Sequence, residues 1–155
     1  MKYQELIEKA EKNQDYWKAE IIRRFKIYVE TQDALRNNPM SFSSVHHPKN
    51  PKYPEFKKQS EEAQQAYSNL WMATDMEYAE DGFRNFMWEW RYWKVMARKC
   101  CWYQKSIFTD YMASKTMLNL QRAETNFAKV CGLSENYKPS SYYIEKAFPN
   151  LKLSK

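Results

Sequence analysis

The chain has 155 residues, carries a formal net charge of +6 at pH 7, and is 43% hydrophobic, with six Trp and twelve Tyr. It contains two glycines, Gly82 and Gly132, where an average chain of this length holds about eleven. Hairpins and phosphate-binding loops need glycine for positive φ angles, so this scarcity nearly excludes a β-sandwich, a P-loop and a Rossmann fingerprint.

The cysteines and the chain start indicate the kind of environment. Cys100, Cys101 and Cys131 are too few, and odd in number, for a disulfide framework. No apolar segment of a secretory signal follows Met1, and five acidic residues among the first twenty argue against an acid-poor transit peptide. No apolar stretch approaches the ~20 residues of a membrane span. We therefore expect a soluble intracellular protein, without a membrane span, in a compartment that the sequence does not identify.

Residues 3–36 are predicted to form one helix that ends at residues 37–39. Residues 37–54 form a loop with four prolines, which no helix interior tolerates, and we expect this loop to fold the second helix back on the first. The apolar residues of the first helix recur at steps of three, four and seven, as on one helical face. They are Tyr3, Ile7, Ala10, Trp17, Ile21, Phe25, Tyr28 and Leu35.

Two further long helices are predicted. The second, residues 55–81, begins near Pro54, which suits a first-turn position, and ends near Asp81-Gly82. Residues 83–131 contain neither Pro nor Gly and are predicted as a third, long helix. A break in this helix is compatible with its length, but the sequence marks no place for one.

The end of the chain completes the predicted fold. Gly132 occupies the position of a glycine that terminates a helix. Residues 141–148 are predicted as a short last helix that Pro149 closes. The predicted fold is all-α: a single domain over residues 1–155, built as an elongated bundle of three long helices plus a short C-terminal helix.

Charge is unevenly distributed along the chain. Residues 59–82 hold six acidic and no basic side chains, whereas residues 83–132 hold nine basic and three acidic ones. Within the third helix, basic residues recur every seven positions, which places them on one slowly drifting line. These residues, the basic stripe, are Arg84, Arg91, Arg98 and Lys105. Lys115, Arg122 and Lys129 repeat the spacing on another face.

The basic stripe has two interpretations. It could contact a phosphate backbone or another polyanion. Alternatively, it is a solvated flank that faces the acidic second helix. The second interpretation is favoured, because the acid needed to neutralise the stripe lies in the same chain.

Aromatic residues crowd the first half of the third helix. One set has the spacing of a core seam: Phe86, Trp90, Trp93, Ala97 and Cys100. A second set lies on other faces: Trp88, Tyr92, Val95 and Trp102. Three helices cannot cover every side of such a helix, so we expect the second set to be a partner interface. Base stacking on a nucleic acid and an aromatic-rich monomeric core are the alternatives.

No residue pattern predicts an active site. His46 and His47 are the two histidines, and no cysteine lies at zinc-site spacing from them. No Glu is followed by His at the offset of a helical di-metal site, and the carboxylates of residues 75–81 are interpreted as an acidic flank. We therefore predict no catalytic residue, no metal and no cofactor.

These observations predict a non-enzymatic interaction or assembly protein. It would bind another protein chain, or a second copy of itself, through the aromatic side chains of the third helix. The alternative is a nucleic-acid-binding protein that uses the basic stripe. An enzyme with an unfamiliar site is a third hypothesis, and no small-molecule substrate is evident.

Overall fold

A computed structural model of the chain describes residues 3–38, 50–77, 82–103 and 110–133, without the side chains of residues 36, 100–103 and 110–114. The described residues form helices and turns and contain no strand, which confirms the all-α class. Five helices follow in order: α1 (Tyr3–Lys12), α2 (Tyr16–Arg36), α3 (Tyr53–Asp75), α4 (Gly82–Tyr103) and α5 (Asp110–Val130). The chain divides into two compact units, Met1–Glu77 and Tyr78–Lys155.

The predicted first helix is two helices, because the chain turns after Lys12. Gln14 has a φ of 60°, a left-handed conformation that interrupts the helix. The Gln14 amide donates to Glu11 O at 3.0 Å, and the Asp15 amide donates to Ala10 O at 2.8 Å. These two hydrogen bonds define a Schellman motif. The Asp15 carboxylate then accepts from the Lys18 amide at 3.2 Å and caps α2.

The first unit is built around α2, which packs against both α1 and α3. Tyr28 lies at the centre of an aromatic group, with ring centroids 5.8 Å from both Phe25 and Tyr67. The predicted stripe of the first helix supplies much of the core. The buried apolar residues of this unit are Ile7, Ala10, Ala19, Ile21, Ile22, Phe25, Tyr28, Ala63, Ala66, Leu70 and Ala73.

Helix α3 folds back antiparallel to α2, as predicted. The Asn38 amide group donates to Gln59 Oε1 at 2.9 Å, and Arg24 Nη1 donates to Asn69 O at 2.8 Å. The chain just after α2 therefore meets the first half of α3, and the first half of α2 meets the second half of α3. Glu20 holds the Arg24 guanidinium in place through a bond of 2.9 Å to Nε.

The predicted third helix is also two helices, α4 and α5, which pack against each other. Phe83, near the start of α4, stacks edge-on against Phe127, near the end of α5, so the pair is antiparallel. A single straight helix would leave the apolar side of each half in water, whereas the hairpin buries the two sides against each other. This gain accounts for a reversal that neither Pro nor Gly marks.

Helix α5 ends at the glycine that the sequence predicts. Gly132 has a φ of 72°, its amide donates to Lys129 O, and the Leu133 amide donates to Ala128 O, both at 3.0 Å. This is the same Schellman motif that ends α1, with glycine in the left-handed position.

Three predicted features lie wholly or partly outside the described residues. The second helix begins at Tyr53 with proline in its first turn, as predicted, but α3 ends at Asp75 rather than near residue 81. The loop over residues 39–49 and the short helix over residues 141–148 lie outside the described residues. The single domain stays a prediction, because compactness of each unit does not decide whether the units fold independently.

The left-handed position of the Schellman motif holds Gln14 after α1 and Gly132 after α5, so substitutions there should have opposite effects on stability. Gln14→Gly should raise the free energy of unfolding by about 1 kcal/mol, because glycine adopts a positive φ without the steric penalty of a side chain. Gly132→Ala should lower it by about 1 kcal/mol for the same reason. Urea denaturation followed by circular dichroism measures both changes.

Gly82→Ala is the control for these variants. Gly82 opens α4, and a Cβ added there would meet nothing within 4 Å. Its replacement should cost nothing measurable, because Ala is the better helix former. A loss at Gly82 equal to that at Gly132 would contradict the conformational explanation.

Candidate interaction surface on helix α4

The side of α4 that contacts α5 is a heptad-like seam. We define the α4 seam by its buried residues, Phe83, Met87, Trp90 and Ala97. The sequence predicts a seam that runs through Phe86 and Trp93, each one position before the residues Met87 and Lys94 at seam spacing in the structure. Trp90 and Ala97 are buried as predicted, but Phe86 and Trp93 are half-buried and flank the seam. The side chain of Cys100 lies outside the described part of the chain.

Helix α5 carries the matching seam, and one of its members is charged. The buried positions follow each other at steps of three and four along α5. They are Met117, Leu120, Glu124, Phe127 and Cys131, and Glu124 is fully buried. A buried carboxylate is costly unless hydrogen bonds and an opposite charge compensate it.

Two residues of α4 compensate Glu124. The Trp90 indole Nε1 donates to Glu124 Oε2 at 2.9 Å, in a buried hydrogen bond between the two helices. The Lys94 ammonium lies 3.7 Å from the same oxygen, with 16% of its side chain exposed. Trp90 also packs on Phe127, at 5.3 Å between ring centroids. These contacts fix which side of α4 turns toward α5.

The sequence prediction missed this buried cluster. The signal is present in retrospect: Lys94 falls between Trp90 and Ala97 at seam spacing, and Glu124 falls between Leu120 and Phe127. A charge on each of two apolar seams indicates a buried pair, but the pairing requires the hairpin. With residues 83–131 taken as one helix, the two charges had no reason to meet.

The opposite side of α4 carries exposed apolar side chains. Trp88, Tyr92 and Val95 are 44%, 57% and 41% exposed, and their spacing of four and three places them on one side of the helix. We call these three residues the aromatic face. They belong to the predicted partner interface. Trp102, its fourth predicted member, lies in α4, but its side chain is outside the description.

The predicted basic stripe borders the aromatic face. Arg91 is half-buried, and its guanidinium lies over the Trp88 ring, 4.4 Å from the centroid. Arg84 is half-buried and Arg98 is exposed, while Lys105 lies outside the described residues. The described residues of the two predicted sites are therefore neighbours on α4, with a cation–π pair between Arg91 and Trp88.

The other sequence candidates lie elsewhere. Lys115, Arg122 and Lys129, which form the second basic repeat, are exposed on α5. Cys131 is fully buried in the hairpin, so it is a packing residue there. His46 and His47 lie outside the described residues. Within the part of the chain that the structure describes, no group of His, Cys, Asp and Glu side chains could hold a metal ion.

Comparison of the chain with protein-family models, with curated protein sequences and with solved structures found no match. Among the described helices, none combines the length and the apolar character needed to cross a membrane.

The buried cluster predicts strong coupling between Lys94 and Glu124. Lys94→Met leaves a buried carboxylate without its cation and should cost about 3 kcal/mol of unfolding free energy. Glu124→Gln keeps an acceptor for the Trp90 N–H but removes the negative charge 3.7 Å from the Lys94 ammonium, and should cost about 2 kcal/mol. The double variant is neutral at this site and keeps the hydrogen bond from Trp90. Its loss of unfolding free energy should therefore be smaller than the sum of the two single losses by at least about 1 kcal/mol.

Urea denaturation of the four proteins in this cycle measures the coupling. Lys26→Met with Glu30→Gln is the control cycle, because this pair is exposed on α2 with its charged atoms 3.9 Å apart. Its coupling should stay below about 0.5 kcal/mol. Additive losses at Lys94 and Glu124 would show that the two charges do not compensate each other.

Proposed function

We propose that this chain is a non-enzymatic interaction protein whose aromatic face on α4 binds another protein chain. The observation that carries the proposal is the two-sided construction of α4. One side is buried against α5 through Trp90, and the opposite side exposes Trp88, Tyr92 and Val95. Large apolar side chains held together in water are typical of a surface that a partner covers.

The types of residue support protein binding. Trp, Tyr and Arg are the side chains most enriched among the energetically dominant residues of protein interfaces. Here a Trp and an Arg are already arranged, because Arg91 stacks on the Trp88 ring. A side chain that is ordered before binding loses less conformational entropy when the partner arrives. The aromatic face is therefore a partly preorganised surface.

Other exposed apolar residues provide a reference. Tyr16 and Ile27 on α2 are 62% and 52% exposed, and they lie eleven positions apart along the helix. Scattered apolar residues of this kind are ordinary on protein surfaces. Met72 and Met76 form a smaller exposed pair at the end of α3. The aromatic face differs by combining three bulky side chains with a bordering row of cations.

The alternative of nucleic-acid binding has less support from the geometry. Base stacking needs an open aromatic ring, whereas the Arg91 guanidinium covers one side of Trp88. Contact with a phosphate backbone needs extended cations, whereas Arg84 and Arg91 are half-buried. The pairing of the basic stripe with the acidic residues 59–82 stays a prediction.

Site-specific photocrosslinking tests the proposal. A benzoylphenylalanine placed at Tyr92 should give discrete crosslinked protein adducts in an extract of the native cells, because a bound chain would lie against it. The same probe at Ile27 is the matched control, since this residue is similarly exposed on another helix. Gel electrophoresis and mass spectrometry of the adducts give the readout.

Trp88→Ala in the protein that carries the probe should remove the Tyr92 adducts and leave the circular dichroism spectrum unchanged. Equal crosslinking at Tyr92 and Ile27, or adducts that persist after Trp88→Ala, would contradict a binding role for the aromatic face.

A further inference from the structure

We infer that the partner segment that docks on the aromatic face is an acidic amphipathic helix. This inference rests on the proposed function and adds the chemistry of the partner. Two features of the described α4 surface support it: the spacing of the apolar residues and the sign of the surrounding charge.

The spacing of the apolar residues fits a helix. Trp88 and Val95 are two turns apart, about 10 Å along the axis at ~1.5 Å per residue. A partner helix that crosses this face can bring apolar residues at intervals of three, four and seven against it. Trp88, Tyr92 and Val95 would then lose their contact with water together. An extended polyanion could satisfy the nearby cations but would leave these three side chains in water.

The charge around the face is positive. Arg98 and Lys99 are exposed one turn beyond the apolar residues, and Arg91 lies beside Trp88. Glu89 is the one acidic residue among residues 82–103. Carboxylates on the flanks of a partner helix would meet these cations, which favours an acidic partner over a neutral or basic one.

The same charge argues against a second copy as the occupant. In a symmetric contact between two copies, each surface meets itself. Two net positive surfaces, each carrying Arg98 and Lys99, would then be brought together, and such juxtaposition costs affinity. A different segment with acidic flanks avoids this repulsion.

Selection from a displayed peptide library tests the inference without knowledge of the natural partner. The probe is a library of randomised peptides of about 18 residues, or five helical turns, selected against the full chain. Enriched peptides should be acidic and should carry apolar residues at helical spacing. Their affinity, measured by fluorescence anisotropy, should fall at least about tenfold with Trp88→Ala/Tyr92→Ala, because the apolar contact is lost.

A matched pair of variants tests the charge. Arg98→Glu/Lys99→Glu should lower the affinity for the selected peptides at least about tenfold, because both reversed charges border the aromatic face. Lys115→Glu/Arg122→Glu makes the same change in charge at exposed positions of α5 and should alter affinity less than about threefold. Circular dichroism checks that both variants keep their helical content.

The outcomes separate the inference from the proposed function. Neutral or basic peptides that depend on Trp88 and Tyr92 would overturn the acidic partner and leave the proposed function standing. A single-stranded oligothymidylate that displaces the peptides and depends on Arg98 and Lys99 would overturn the acidic helix in favour of a polyanion. Failure to enrich any peptide, or binding that ignores Trp88→Ala/Tyr92→Ala, would overturn both.

Discussion

The buried carboxylate of Glu124 is the interaction on which the second unit depends. Its oxygen accepts from the Trp90 indole at 2.9 Å and lies 3.7 Å from the Lys94 ammonium, in a seam that is otherwise apolar. Apolar packing alone tolerates small rotations of one helix against another, because dispersion contacts have little direction. A buried hydrogen bond does not, since a rotated α4 would leave the carboxylate without its donor. The cluster therefore specifies one orientation of α4 against α5.

That orientation decides what the rest of α4 exposes. With Trp90 turned toward α5, helical geometry places Trp88, Tyr92 and Val95 on the other side. Arg91 stacks on Trp88 at the border between the two sides and limits its rotamers. The polar cluster in the hairpin and the apolar surface outside it are thus two consequences of the same helix rotation.

The periodicity of the sequence predicted much of this arrangement, and its failures have physical causes. The predictions of an all-helical class and of a helix end at Gly132 are confirmed. Both rest on glycine, whose scarcity disfavours tight turns and whose placement at residue 132 suits a left-handed helix end. The break at Gln14 was missed because a glutamine adopts the left-handed conformation there, and the local sequence does not distinguish it from a helical residue. The α4–α5 reversal was missed because tertiary packing, rather than Pro or Gly, causes it. The pairing of Glu124 with Lys94 was not predicted for the same reason, since it exists only in the hairpin.

Hydroxyl-radical footprinting of the purified monomer tests the two-sided construction of α4 most directly. The oxidation rate of each side chain, normalised to the same residue in the unfolded protein, reports its contact with water. Trp88 and Tyr92 should react several-fold faster, relative to their unfolded rates, than Trp90 and Phe127. Protection of Trp88 and Tyr92 equal to that of Trp90 would make the aromatic face part of a monomeric core and contradict the two-sided construction of α4.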